Sequence, residues 1–170
     1  ALRRLFKNVL DSIAHFLNKA GLTPNAVTLM ALFGNLVAAI LIANGKIQIG
    51  GIIVLLMGPL DAIDGAMARL GNQVTPFGAF LDSMSDRYSE LAILGGLLIY
   101  FVKMHAWSTC LLVYLAAVGS VLVSYARARG ESLGFSVKNG LLTRVERYLV
   151  MAISLILNLP AVGLWIIAVL

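Results

Sequence analysis

The chain has 170 residues, of which 60% are hydrophobic and only 12% are charged, and its mean hydropathy is +0.93. Soluble domains carry roughly 25% charged residues, so this composition excludes an ordinary water-soluble fold. The net charge of +5 does not indicate nucleic-acid binding, because the basic residues lie between apolar runs, as in proteins that face anionic lipid.

The first segment, residues 1–20, predicts an amphipathic helix. Apolar residues recur at helical spacing in LRRLFKNVLDSIAHFLNKA, and basic residues occupy the rest of the turn. A basic amphipathic helix of this kind is typical of the membrane interface, where its apolar face enters the lipid boundary. The alternative is a helix that packs on a soluble partner.

Residues 26–170 predict six apolar helices joined by short turns. We expect them near residues 26–43, 49–69, 77–102, 106–126, 140–157 and 161–170. Gly58 and Pro59 are expected to bend the second of them. The last segment is too short to cross a hydrocarbon core of about 30 Å, so we expect this helix to be truncated. The predicted fold class is an all-α membrane protein: one domain of six transmembrane helices after an N-terminal amphipathic interfacial helix.

The basic residues predict the orientation of this bundle. One side of the predicted topology carries ten of them: Arg3, Arg4, Lys7, Lys19, Arg69, Arg127, Arg129, Lys138, Arg144 and Arg147. The other side carries only Lys46 and Lys103. Because loops rich in Lys and Arg stay in the cytoplasm, the first side is predicted to be cytoplasmic.

Four aspartates lie in otherwise apolar helices on this cytoplasmic side: Asp61, Asp64, Asp82 and Asp86. Offsets of three and four residues place each pair on one helical face. The short loop between their helices should make these helices antiparallel neighbours, so that the four carboxylates converge. Hard divalent cations with oxygen ligands would relieve the repulsion. Two ions about 3.5–4 Å apart would suit displacement at phosphorus.

The aspartates have two other interpretations. A buried ion-pair network is disfavoured, because few bases lie nearby. Proton or cation transport stays open as an alternative, since intramembrane acids also line ion paths. Gly65 and Gly78 each lie near a carboxylate and would let backbones or a substrate approach closely.

The pattern D-x2-D-G-x2-A-R-x8-G-x3-D-x3-D resembles the signature of the CDP-alcohol phosphotransferase family. It is matched at Asp61, Asp64, Gly65, Ala68, Arg69, Gly78, Asp82 and Asp86. The resemblance implies a multi-pass enzyme of the cell membrane with a cytoplasmic active site. Such an enzyme transfers a phosphatidyl group from CDP-diacylglycerol, or from an archaeal ether-lipid equivalent, to an alcohol and releases CMP. It also implies a homodimer.

The resemblance further implies roles for single residues. Asp61, Asp64, Asp82 and Asp86 would ligate two Mg²⁺ ions, with Mn²⁺ as a substitute, and Asp86 would also be the general base. The CDP-lipid would contact a set of residues that flank the motif: Thr23, Pro24, Asn25, Ala26, Gly65, Arg69 and Thr75.

The acceptor is predicted from a second polar segment, SYARARGESLGFSVKNGLLTRVER, at residues 124–147. Its bases would suit an acceptor that carries a phosphate, because guanidinium groups match phosphate oxygens. The positive-inside signal alone, or anionic headgroups, would also account for them. The segment resembles the phosphatidylinositol phosphate synthase branch, which implies that Arg127, Arg129 and Arg144 bind the phosphate of inositol 1-phosphate. Thr143 stands where that branch has a glutamate, and glycerol 3-phosphate is the alternative acceptor.

Overall fold

The computed structural model describes residues 2–135 and 143–169, with side chains from residue 10 onward. Its elements in these ranges are helices: α1 (Leu2–Lys19), α2 (Pro24–Ala43), α3 (Ile47–Leu70), α4 (Pro76–Lys103), α5 (Trp107–Ser132), α6 (Arg144–Ile156) and α7 (Pro160–Val169). The all-α prediction is therefore confirmed for the described part of the chain. Residue 140, where the fifth apolar helix was expected to begin, lies outside it, as does Lys138.

The same local sequence starts α2 and α4. In each helix a threonine precedes a proline, and its hydroxyl accepts a hydrogen bond from the backbone three residues later. Thr23 accepts from the Ala26 amide at 3.3 Å, and Thr75 accepts from the Gly78 amide at 3.0 Å. Proline suits the first helical position because its missing N–H would have had no partner there. α2 thus begins at Pro24, two residues before the expected boundary near residue 26.

One helix continues further along the chain than its sequence suggested, and another passes through a proline. α5 extends to Ser132 instead of ending near residue 126, and an Arg127–Glu131 ion pair of 2.9 Å supports its last turn. It ends where Gly134 adopts a positive φ of 82°, a conformation that glycine adopts easily. α3 runs through Pro59 as one helix, although Pro59 cannot donate a hydrogen bond to the preceding turn.

α2 packs against both α3 and α4, whereas α3 and α4 make few direct backbone contacts in the described ranges. The prediction that α3 and α4 pack directly against each other is therefore wrong for their backbones. α2 packs against both of them instead. The α2–α4 crossing is very close: a Cβ built on Gly96 would clash with the Ala39 carbonyl oxygen. Small residues permit such crossings between apolar helices. α2 therefore fixes the relative positions of the two helices that carry the aspartates.

The fully buried apolar side chains form a main core and a smaller one. The main core includes Ile42, Val54, Leu97, Val113, Leu155 and Leu164. The smaller core joins Ala14 of α1 to Val27 of α2 and Met67 of α3. On the outer side of α1, Ile13 and Phe16 remain 40% and 70% exposed. One apolar face of α1 is thus packed against the bundle, and further apolar side chains are left outside.

Three of the described helices, α2, α3 and α5, are long and apolar enough to cross a membrane. α4 has 28 residues but contains several charged side chains, while α6 and α7 have 13 and 10 residues. Many large apolar side chains on the outer faces of the helices are more than half exposed, among them Phe33, Ile40, Leu56 and Leu122. An apolar outer surface is what the lipid phase requires.

Candidate active site

Three of the four predicted metal ligands form one group. Carboxylate oxygens of Asp61, Asp82 and Asp86 lie within 4.8 Å of one another, although Asp61 comes from α3 and the others come from α4. The Asp86 side chain is 9% exposed, whereas that of Asp61 is 34% exposed. An all-oxygen donor set at this spacing fits a hard divalent cation such as Mg²⁺ or Mn²⁺.

The fourth predicted ligand, Asp64, is buried and is held by α2. The Thr28 hydroxyl donates a hydrogen bond to Asp64 Oδ2 at 2.6 Å, and Thr28 Oγ1 also lies 3.1 Å from the Pro24 carbonyl oxygen. Asp64 is 5% exposed, as is Thr28. The structure thus links the aspartate motif directly to the first turns of α2.

Arg144, a predicted acceptor-binding residue, lies against the carboxylate group. Its two terminal nitrogens donate to the two oxygens of Asp61 at 3.3 and 3.1 Å, and it also forms an ion pair with Asp86. The paired nitrogens match the two carboxylate oxygens, which makes this contact specific as well as strong. The Arg144 side chain is 39% exposed, so it lies at the open edge of the site.

A capping box fixes where α6 begins and therefore where Arg144 lies. The Thr143 hydroxyl accepts from the Glu146 amide, and the Glu146 carboxylate accepts from the Thr143 amide at 2.6 Å. Arg144 is consequently the first residue of the helix. The sequence T-x-x-E at residues 143–146 is a recognisable capping signal, and Thr143 now has a structural role that the sequence interpretation missed.

A cleft of about 290 Å³ opens beside these residues. Its polar end is formed by Thr28, Asp61, Asp86 and Arg144, and most of the remaining lining is apolar side chain from α2, α3 and α6. A ligand that fits this lining has a charged end and an apolar body. The arrangement can bind an anionic group at the carboxylates, through cations or Arg144, while an apolar part extends along the helices.

Comparison with known proteins decides the family. Residues 21–170 match the family model for CDP-alcohol phosphatidyltransferase. The chain belongs to this family. Its membership makes the protein a transferase enzyme of phospholipid synthesis, and the resemblance that was read from the aspartate pattern is confirmed.

Named relatives and solved structures agree with this assignment. The transferase is 34% identical over 170 residues to archaetidylinositol phosphate synthase of Pyrococcus horikoshii, covering 99% of this chain and 88% of that one. It is 35% identical over 151 residues to phosphatidylinositol phosphate synthase of Mycobacteroides abscessus, covering 87% and 68%.

Two crystal structures of Mycobacterium tuberculosis phosphatidylinositol phosphate synthase superpose with a TM-score of 0.86. One has CDP-DAG bound, is 30% identical and covers 95% of this chain and 87% of that one. The other is in complex with manganese and citrate, is 31% identical and covers 94% and 82%. The fold of the transferase is therefore that of solved members of its family.

The residues predicted to contact the CDP-lipid lie around the first turns of α2 and α4 and at the end of α3. A Cβ built on Gly78 would lie 3.1 Å from the Thr75 hydroxyl and 3.3 Å from Asn25 Oδ1. The two helix starts of the transferase are therefore close together. Near the end of α3, a Cβ on Gly65 would lie 3.3 Å from the exposed guanidinium of Arg69. Both glycines keep space free beside polar groups.

The other two predicted acceptor residues are not brought to the carboxylates by any contact in the described ranges. Arg127 forms its ion pair with Glu131 on its own helix, and both side chains are more than half exposed. Arg129 is also exposed. Only Arg144 of the three touches the aspartate group of the transferase.

A second ion pair between α4 and α6 was missed by the sequence interpretation. The Arg147 Nε atom donates to Glu90 Oε1 at 3.2 Å, and the Ser120 hydroxyl of α5 donates to the same oxygen at 2.9 Å. Arg147 is buried, unlike Arg144. The available signal was the spacing, because Glu90 follows Asp86 by one turn and Arg147 follows Arg144 by one turn.

Tyr148 was also missed. Its hydroxyl lies 2.6 Å from the Val54 carbonyl oxygen and 3.1 Å from Asn35 Oδ1, so it connects α6 to α3 and α2. Gly58 leaves room for its ring, since a Cβ there would lie 2.9 Å from a ring carbon. The signal in the sequence was Asn35, a polar amide in an otherwise apolar helix.

Proposed function

We propose that the protein transfers a phosphatidyl group from CDP-diacylglycerol to inositol 1-phosphate, giving phosphatidylinositol phosphate and CMP. The observation that carries this proposal is the convergence of three carboxylates with Arg144, where Asp61, Asp86 and Arg144 line a largely apolar cleft. The names of the relatives support inositol phosphate as the acceptor. The archaeal relative also leaves an ether-lipid donor as a variant of the same reaction.

In this proposal the four aspartates Asp61, Asp64, Asp82 and Asp86 hold two Mg²⁺ ions, for which Mn²⁺ can substitute. The oxygen-only donor set supports this choice, as does the manganese complex of the M. tuberculosis enzyme. When bound, the ions neutralise the diphosphate of the donor and stabilise the CMP that leaves. The side chains of the protein supply the orientation and the proton transfer.

Asp86 is the proposed general base. Its carboxylate accepts the proton of the acceptor hydroxyl as the hydroxyl oxygen forms a bond to the lipid-bearing phosphorus and the bond to CMP breaks. Its position supports this role, because Asp86 belongs to the carboxylate group and lines the cleft. The CDP moiety is held by the donor-binding residues named from the sequence: Thr23, Pro24, Asn25, Ala26, Gly65, Arg69 and Thr75.

The proposed acceptor site uses Arg144, together with Arg127 and Arg129 of α5. Arg144 is the best supported of the three, because it already lies beside the proposed base. Its guanidinium has enough donors to bind a phosphate and a carboxylate together. Glycerol 3-phosphate carries the same phosphate and remains the alternative acceptor.

We further propose that the chain forms one domain with six membrane-spanning helices, a cytoplasmic active site and α1 in the interface of the cell membrane, and that it acts as a homodimer. The exposed apolar side chains of α1 support its interfacial position. The clustering of bases at one end of the helices supports the orientation. Tagging the two ends of α5 for labelling in intact cells would test this topology.

The reaction is tested with purified protein, CDP-diacylglycerol, Mg²⁺ and each candidate acceptor, with CMP release as the readout. We expect CMP release with inositol 1-phosphate. If CMP is released with glycerol 3-phosphate but not with inositol 1-phosphate, the acceptor is glycerol 3-phosphate and the enzyme class is unchanged. Aspartate-dependent ion flux across reconstituted vesicles, without CMP release under any condition, would favour the cation or proton carrier instead.

A further inference from the structure

Thr28 makes a contact between two helices that has no role in the reaction proposed above. Its hydroxyl on α2 lies 2.6 Å from Asp64 Oδ2 on α3 and 3.1 Å from the Pro24 carbonyl oxygen of its own helix. A threonine hydroxyl has one hydrogen, and the shorter distance assigns it to the carboxylate. Thr28 also contributes to the polar end of the cleft.

The contact fixes an aspartate that would otherwise have rotational freedom. The terminal torsion of an aspartate is soft, so its carboxylate takes its orientation from whatever bonds to it. Asp61 and Asp86 share the positively charged Arg144, but the partner seen at Asp64 is a neutral hydroxyl. A neutral donor orients the carboxylate and leaves its negative charge available to a cation.

We propose that Thr28 is a positioning residue that orients Asp64 for a divalent cation. This inference rests on the proposed function in one respect, namely that the aspartates bind metal. Because Thr28 lies one helical turn after Pro24, this bond also places the metal ligand beside the start of α2, where the donor nucleotide is proposed to bind. Outer partners of this kind orient metal ligands in proteins, and their loss weakens metal affinity by about 10- to 100-fold.

The test measures Mn²⁺ binding to the detergent-purified protein from the paramagnetic resonance signal of free Mn²⁺. Thr28→Val keeps the shape of the side chain and removes the hydroxyl, whereas Thr28→Ser keeps the hydroxyl. We expect Thr28→Val to raise the Mn²⁺ dissociation constant about tenfold or more. Thr28→Ser should stay within about threefold of the wild type, because its hydroxyl reaches the same oxygen.

Ser154→Ala is the matched control. Ser154 is also buried, but its hydroxyl donates to the Met151 carbonyl oxygen of its own helix. Removing that hydroxyl should leave Mn²⁺ affinity unchanged. If Thr28→Val does not fold, Thr28→Ala replaces it, since alanine removes the hydroxyl without adding an apolar branch.

A double-mutant cycle separates positioning from a general packing role. If Thr28 acts through Asp64, Thr28→Val should add no further loss of Mn²⁺ affinity in an Asp64→Asn background. Wild-type affinity in Thr28→Val, or equal losses in Thr28→Val and Thr28→Ser, would overturn the positioning role. Failure of the wild type to bind Mn²⁺ would instead overturn the metal site of the proposed function and this inference with it.

Discussion

Arg144 occupies carboxylate oxygens that a metal ion would also need. It bonds to both oxygens of Asp61 and pairs with Asp86, and these two aspartates belong to the group of three whose oxygens converge. A cation that binds there competes with the guanidinium for the same ligands. We therefore predict that Arg144→Gln binds Mn²⁺ more tightly than the wild type does, although the same change should weaken binding of the phosphorylated acceptor.

The size of this effect follows from the distances and exposures. Two unit charges about 4 Å apart interact by about 4 kcal/mol at an effective dielectric constant of about 20. The Arg144 and Asp61 side chains are 39% and 34% exposed, so solvent screens their contact substantially. An effect of about 1 to 3 kcal/mol remains, which corresponds to a roughly 5- to 150-fold lower Mn²⁺ dissociation constant.

The assay is a Mn²⁺ titration of the purified protein, followed by the resonance signal of the free ion. Arg87→Gln is the matched control: Arg87 follows Asp86 directly, but its side chain bonds to the Ser83 carbonyl of its own helix. We expect a smaller gain in affinity from Arg87→Gln. Arg144→Lys should lie between Arg144→Gln and the wild type, because lysine keeps the charge without the paired geometry.

Two results would refute the competition between Arg144 and the metal. One is a Mn²⁺ affinity in Arg144→Gln that equals or falls below that of the wild type. The other is an equal gain from Arg87→Gln, which would assign the effect to the general electric field at the site and not to the direct ion pair.

Three further predictions concern the base, the metal and the helix crossing. Asp86→Asn should abolish CMP release in an otherwise folded protein, and normal turnover would remove Asp86 as the base. Treatment with EDTA should stop CMP release and added Mg²⁺ should restore it, whereas full activity in EDTA would contradict a metal requirement. Gly96→Ala should destabilise the protein by about 1–3 kcal/mol through its clash with Ala39, as measured by thermal unfolding. Gly95→Ala meets no atom within 4 Å, so an equal loss of stability there would contradict the packing argument.

The local parts of the site could be predicted from the sequence because they depend on helical periodicity and short-range signals. The offsets within Asp61–Asp64 and Asp82–Asp86 predict shared faces, and the convergence of Asp61, Asp82 and Asp86 is observed. The prolines after Thr23 and Thr75 mark helix starts in the same way. The role of Thr143 as a helix cap has an equally clear signal, the sequence T-x-x-E at residues 143–146.

Contacts between helices could not be predicted in this way. Thr28 meets Asp64 because of how α2 packs on α3, and one sequence contains no information on the angle of that crossing. The same holds for Tyr148, whose partners lie on two other helices. Arg144 belongs to a basic segment that the sequence already indicates, but its contacts with Asp61 and Asp86 depend on how α6 packs beside α3 and α4. Side-chain contacts between different helices are therefore the feature of the site that the sequence does not predict.

The paired salt bridges between α4 and α6 have a consequence for the axial position of α6. The ion pairs Asp86–Arg144 and Glu90–Arg147 lie one helical turn apart on both helices. Sliding α6 by one turn would place Arg147 opposite Asp86 and leave Glu90 without its base in an apolar surrounding, where an unpaired charge is strongly unfavourable. The Glu90–Arg147 ion pair therefore favours one axial position of α6, and in that position Arg144 lies at the carboxylates.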